Sequence, residues 1–130
     1  MRRRADYGKI PEHSALLVID IQNDTESDAI PVMEGGTCLL NAPKVIQHFR
    51  KLQVPVIQIR ELHRADHSDF GRELDGVEKV HCLEGTPAEE FHPSTAPIEG
   101  EYIITKRRYS AFSRPTLICC CAALALSACT

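Results

Sequence analysis

The chain has 130 residues, which is one domain by length, and its 15 Lys and Arg against 18 Asp and Glu give a net charge of -3 that is ordinary for a soluble protein. That balance excludes the basic face a nucleic-acid partner requires. Met1-Arg2-Arg3-Arg4 has no apolar run behind it, which excludes an ordinary secretory leader and makes the cytoplasm the expected compartment.

Residues 1–14 are polar, carry Gly8 and Pro11, and read as a surface segment. Ala15-Leu16-Leu17-Val18-Ile19 is a short apolar run without turn residues, the pattern of a parallel strand buried on both faces. Asp20 ends it, followed by Gln22, Asn23 and Asp24. A carboxylate at the carboxyl end of such a strand either caps a turn or faces a ligand, and the bare pattern favours the cap. Thr25 to Gly36 reads as a long loop. A helix follows, with Asn41 as its cap, Pro43 in its first turn, and Val45, Ile46, Phe49 and Leu52 at helical spacing.

Val54-Pro55-Val56-Ile57-Gln58-Ile59 is a second strand, and strand, helix and strand make a parallel unit. From Glu61 to Gly100 periodicity is lost and turn formers multiply, Asp66, Asp69, Gly71 and Gly85 among them. So long a loop in a small domain is more often functional than idle. Tyr102-Ile103-Ile104-Thr105 is a third strand with Lys106 at its end, so Asp20 and Lys106 are expected at one carboxyl edge of a parallel α/β sheet. Six cysteines show neither a zinc spacing nor a disulfide framework, and free thiols are expected. Residues 113–130 change character: Cys119-Cys120-Cys121 and a run of Ala and Leu form an apolar, Cys-rich tail too short to span a membrane.

Four separated stretches in order carry a family resemblance. Asp20-Ile21-Gln22-Asn23-Asp24, Arg60-Glu61-Leu62-His63-Arg64, His81-Cys82-Leu83-Glu84-Gly85-Thr86-Pro87 and Lys106-Arg107-Arg108-Tyr109-Ser110-Ala111-Phe112 together resemble the isochorismatase-like cysteine hydrolases, a family that includes nicotinamidases and small-amide hydrolases. The resemblance runs from about residue 15 to 112. It implies a Rossmann-like three-layer sandwich, a parallel sheet with flanking helices, whose C-terminal strands are missing here. The ending is accordingly read as truncated or frameshifted.

The resemblance also implies chemistry. Asp20 and Lys106 fall on the family's catalytic Asp and Lys, Gln22 and Phe112 on substrate-side positions, and Glu61, His63 and His81 on a divalent-metal set in which Glu61 replaces an Asp. Zinc accepts this donor chemistry, although the family's reaction requires no cofactor in every member. A thiol with pKa near ~8.5 needs about 2 kcal/mol of preferential stabilisation to ionise near neutrality, which a nearby ammonium supplies. The carboxylate then moves the thiol proton to the leaving amine, and water hydrolyses the thioester. No cysteine stands in the expected framework for the nucleophile. The expected function is therefore a cysteine amidohydrolase for a small-molecule amide with doubtful activity in this chain. The alternative is a non-catalytic small-molecule or metal-binding partner protein. The resemblance allows a homo-oligomer, and nothing points to a membrane.

Overall fold

The computed structural model describes residues 10–26, 32, 34–113 and 116–124. Three strands form the sheet: β1 (Leu16–Ile19), β2 (Val56–Glu61) and β3 (Tyr102–Lys106). They run parallel in the order β1-β2-β3. Helix α1 (Gly35–Lys51) joins the first two strands, and α2 (Thr116–Ala123) follows the third.

Strand alternation sends successive side chains to opposite faces, and each face receives a helix. Ile46 of α1 packs with Val18 and Val56, with Leu16, Ile21 and Phe49 partly buried around them. On the other face Ile57, Ile59 and Ile104 meet Leu117 and Cys120 of α2. Each such fully buried aliphatic residue contributes roughly 1.5–3 kcal/mol. The described part of the tail therefore closes the second face of the sheet. Its composition reads as foreign in sequence, yet Leu117 is fully buried.

Three expectations need correction. The strand expected to be buried on both faces, β1, is an outer strand of the described sheet, and Ile19 is 50% exposed. Helix α1 begins at Gly35, not near Asn41, and Pro43 lies inside it. The residue before the helix, Glu34, adopts a left-handed conformation at φ 57 and offers no side-chain cap. Val45 and Leu52, expected on the buried stripe, are about half exposed, leaving Ile46 as the buried anchor of the helix. An apolar groove of ≈ 440 Å³ runs between β1 and α1, lined by Leu16, Val18, Ile21, Val45 and Ile46 among others.

The long connection from β2 to β3 is irregular, held by two isolated bridges, Gln22 with Phe91 and His63 with Leu83. A bidentate pair fixes its far end, with Arg50 Nε and Nη2 donating to Glu101 Oε1 and Oε2 at 2.7 and 2.9 Å. None of the five cysteines among the described residues is joined in a disulfide. No helix among the described residues is long and apolar enough to cross a membrane.

Candidate active site

The parallel register pairs Glu61 with Lys106 directly, so the two side chains leave the sheet side by side. Lys106 Nζ lies 3.2 Å from Glu61 Oε2 and 2.8 Å from Asp20 Oδ2. Asp20 reaches this position because its backbone turns at φ 56 directly after β1, while its N–H still bonds the Ile59 carbonyl at 2.9 Å. Asp tolerates the left-handed region better than most residues, which suits it to a strand end that must turn a functional group inward.

The ammonium is almost fully buried with two carboxylates and is held above its ordinary 10.5. Burial acts to lower it, but the hydrogen bond and charge of Asp20, together with Glu61, outweigh that. Asp20 also rises above its ordinary 3.8: desolvation is the largest influence, and Glu61 adds to it against the pull of Lys106. The causes differ: the two carboxylates facing Lys106 outweigh its burial, whereas for Asp20 burial outweighs the one cation it shares. A carboxyl raised in this way is better matched to proton transfer near neutral pH.

Glu61, His63 and His81 come together as expected, with one donor atom from each lying within 4.8 Å of the others. All three are buried. His63 Nε2 is 3.4 Å from Glu61 Oε1. Tetrahedral zinc with bonds of about 2.0–2.1 Å separates its ligand atoms by roughly 3.3–3.4 Å, so this spacing is already that of a ligand pair. His81 Nδ1 meets the Lys79 carbonyl at 2.6 Å, which requires it to donate, and in a neutral ring that places the lone pair at Nε2. Glu61 Oε1 and both nitrogens of His63 are buried without a hydrogen-bond partner. Two carboxylates against one ammonium also leave excess negative charge. Both features fit a divalent cation.

Gln22 holds the site from beneath. It is 1% exposed, its Nε2 donates to the Glu61 and Glu89 carbonyls at 2.9 Å each, and its Oε1 accepts the Glu61 N–H at 2.8 Å. These bonds tie the end of β2 to the loop and leave the amide engaged by backbone. Phe112 is half exposed and lies outside the lining of the pocket around Asp20. That pocket, ≈ 180 Å³, is lined by Asp20, Gln22, Glu61, His81, Cys82 and Tyr109 among others.

Cys82 and Asp24 were not singled out by sequence reasoning. Cys82 is buried at φ 47, and its N–H donates to Asp24 Oδ2 at 2.8 Å. Burial, then the charges of Asp24, Glu61 and Asp20, push its thiol far above the ordinary 9.0. A thiol in so acidic a setting stays protonated, the opposite of an activated nucleophile. The only signal was position: Asp24 closes the first motif, and Cys82 follows His81.

The Isochorismatase domain model matches residues 14–127, past Phe112 and through α2. An uncharacterized isochorismatase family protein, YddQ of Bacillus subtilis, is 30% identical over 101 residues, covering 76% of this chain and 49% of its own. The nicotinamidase/pyrazinamidase of Mycobacterium tuberculosis is 26% identical over 98 residues, covering 74% and 53%. Among solved structures, the pyrazinamidase of Pyrococcus horikoshii in complex with zinc superposes with a TM-score of 0.75 at 29% identity, covering 88% of this chain and 66% of that one. The chain thus spans about half the length of the curated relatives it matches. With the parallel sheet, the Asp20–Lys106 pair and a domain match over most of its residues, the chain belongs to the isochorismatase family of hydrolases.

Proposed function

We propose that this chain carries the proton-transfer and metal-holding half of a hydrolase for small amides. The observation that supports it is Lys106 Nζ bridging Asp20 and Glu61, two carboxylates that both line the ≈ 180 Å³ pocket. Asp20 takes a proton from the attacking group and returns it to the leaving amine, while Lys106 holds the anionic partners in place and stabilises developing negative charge. Glu61, His63 and His81 would hold zinc or a similar cation. Such a cation would act as a Lewis acid toward a substrate carbonyl or ring nitrogen. Gln22 acts as a positioning residue for Glu61, and Phe112 as an outer contact for substrate rather than a pocket wall.

The one cysteine lining the pocket around Asp20, Cys82, has its thiol held in the protonated form by burial and then by the neighbouring carboxylates. That observation favours a second reading, a metal- or small-molecule-binding protein without turnover. Ammonia release from nicotinamide and pyrazinamide by the zinc-loaded protein separates the two. Under the hydrolase reading, Asp20→Asn lowers turnover by about 10²–10⁴-fold and leaves the protein folded, since Lys106 keeps Glu61 as a partner and Asn also tolerates the left-handed backbone. Turnover undiminished by that change removes Asp20 from the mechanism. Zinc retention with no ammonia from either amide establishes the binding reading instead.

A further inference from the structure

Asp69 lies outside the Glu61, His63 and His81 donor set, yet everything around it converges on His63. Its Oδ1 is 3.5 Å from His63 Nδ1. The same oxygen accepts the Arg64 N–H at 2.9 Å, and Oδ2 accepts Arg107 Nη1 at 2.7 Å. The Asp69 carbonyl accepts Arg108 Nη1. Next in sequence, the Phe70 ring stacks on His63 with centroids 3.9 Å apart and planes 18° apart, and meets His81 edge-on at 5.4 Å. The dipeptide thus supplies a carboxylate at one edge of the imidazole and a ring over its face.

His63 is completely buried between two carboxylates, Asp69 toward Nδ1 and Glu61 toward Nε2, and neither nitrogen completes a hydrogen bond. A neutral imidazole has one N–H to place. Asp69 is the carboxylate suited to receive it, because Arg107 and the Arg64 N–H anchor it, whereas Glu61 Oε1 has no hydrogen-bond partner and sits beside the other two donors. Resting on the metal-site reading above, we propose that Asp69 is a positioning residue for a divalent-cation site. It receives the Nδ1 proton of His63 and so directs the Nε2 lone pair toward Glu61 and His81. Arg107 is its anchor, and since Arg107 directly follows Lys106, the arrangement fastens the cation site to the end of β3.

The test is cobalt(II) binding by the full chain, followed by visible absorption, with zinc competition for affinity. Wild type binds one cobalt with bands of a low-coordinate nitrogen and oxygen site. Asp69→Asn, which keeps shape and removes the anchored charge, weakens affinity about 10–100-fold and shifts the bands, while Asp69→Glu recovers part of the loss. Arg107→Met leaves the carboxylate present but unanchored and gives a smaller loss in the same direction. It covers the case in which Asp69→Asn fails to fold. Wild-type affinity and spectrum in both Asp69→Asn and Arg107→Met overturn the proposal and reduce Asp69 to a structural clasp. Failure of the wild type to bind cobalt or zinc overturns the metal-site reading and the proposal with it.

Discussion

Ile57, Ile59 and Glu61 share one face of β2, yet the first two pack against carbon and the third against charge. The middle of the sheet and its carboxyl corner are therefore built from the same strands under different rules. In the middle, contacts are many, weak and interchangeable, so removing a methylene subtracts a small amount. At the corner, Asp20, Glu61 and Lys106 are partly or wholly withdrawn from water, and each is tolerable only while its partners are present. The first region supplies stability by accumulation. The second is complete or unfavourable.

The sharpest break in that contrast is Lys106→Met. It keeps a four-atom unbranched stem and leaves Glu61 buried without a cation, an expected loss of about 3–5 kcal/mol. Chemical denaturation reads it, and adding Glu61→Gln in the same chain should recover much of the loss. Recovery failing to appear would mean that the loss does not come from an uncompensated Glu61 charge. Next in size is Ile59→Val, a single methylene from a fully buried residue, expected to cost about 0.5–1.5 kcal/mol with no change in cobalt binding. A measurable shift in the cobalt spectrum would show that the two regions are mechanically coupled.

The smallest effect concerns acid. Burial acts to raise Glu101, but its hydrogen bonds from Arg50 hold it below the ordinary 4.5. For Asp69, burial again acts upward and is outweighed by the Arg107 side chain and the Arg64 N–H, leaving it below 3.8. Groups lowered by folding contribute stability above their unfolded values, and this is lost as pH falls through the folded ones. Asp20 has the opposite sign: its raised carboxyl favours the folded state below 3.8 and loses that advantage as pH rises. The melting temperature should therefore fall below about pH 4. Glu101→Gln should flatten that fall by up to about 1 kcal/mol, whereas Ile59→Val should displace the whole curve without changing its shape. An unaltered acid limb in Glu101→Gln assigns the sensitivity elsewhere.

Residues at strand ends were legible in sequence because the apolar runs that precede them fix where the sheet stops. The place of Asp20 and Lys106 at the carboxyl edge follows from that, whereas their roles, and the choice of Glu61 and His63, rested on the family resemblance. The start of α1 was not legible: a left-handed Glu34 opens the helix, and Pro43 lies inside it despite its missing N–H. Burial of Ile46 against Val18 and Val56 is a tertiary reward that local propensity does not register. Cys82 and Asp69 were hidden for another reason. Both lie in an aperiodic connection whose path is set by isolated bridges and by ion pairs to distant residues, and no local pattern announces such contacts.

The connection from residue 62 to residue 101 also governs the order in which the molecule can assemble. Glu61 and Lys106 end β2 and β3 and Asp20 directly follows β1, so their mutual attraction is felt only after β1 has met β2 and β3 has closed a long loop onto it. The chain must lose the entropy of both closures before the charges reward it. The corner is thus a late arrival in folding, and its ion pairs act as a latch on the finished structure, slowing its opening more than they hasten its formation.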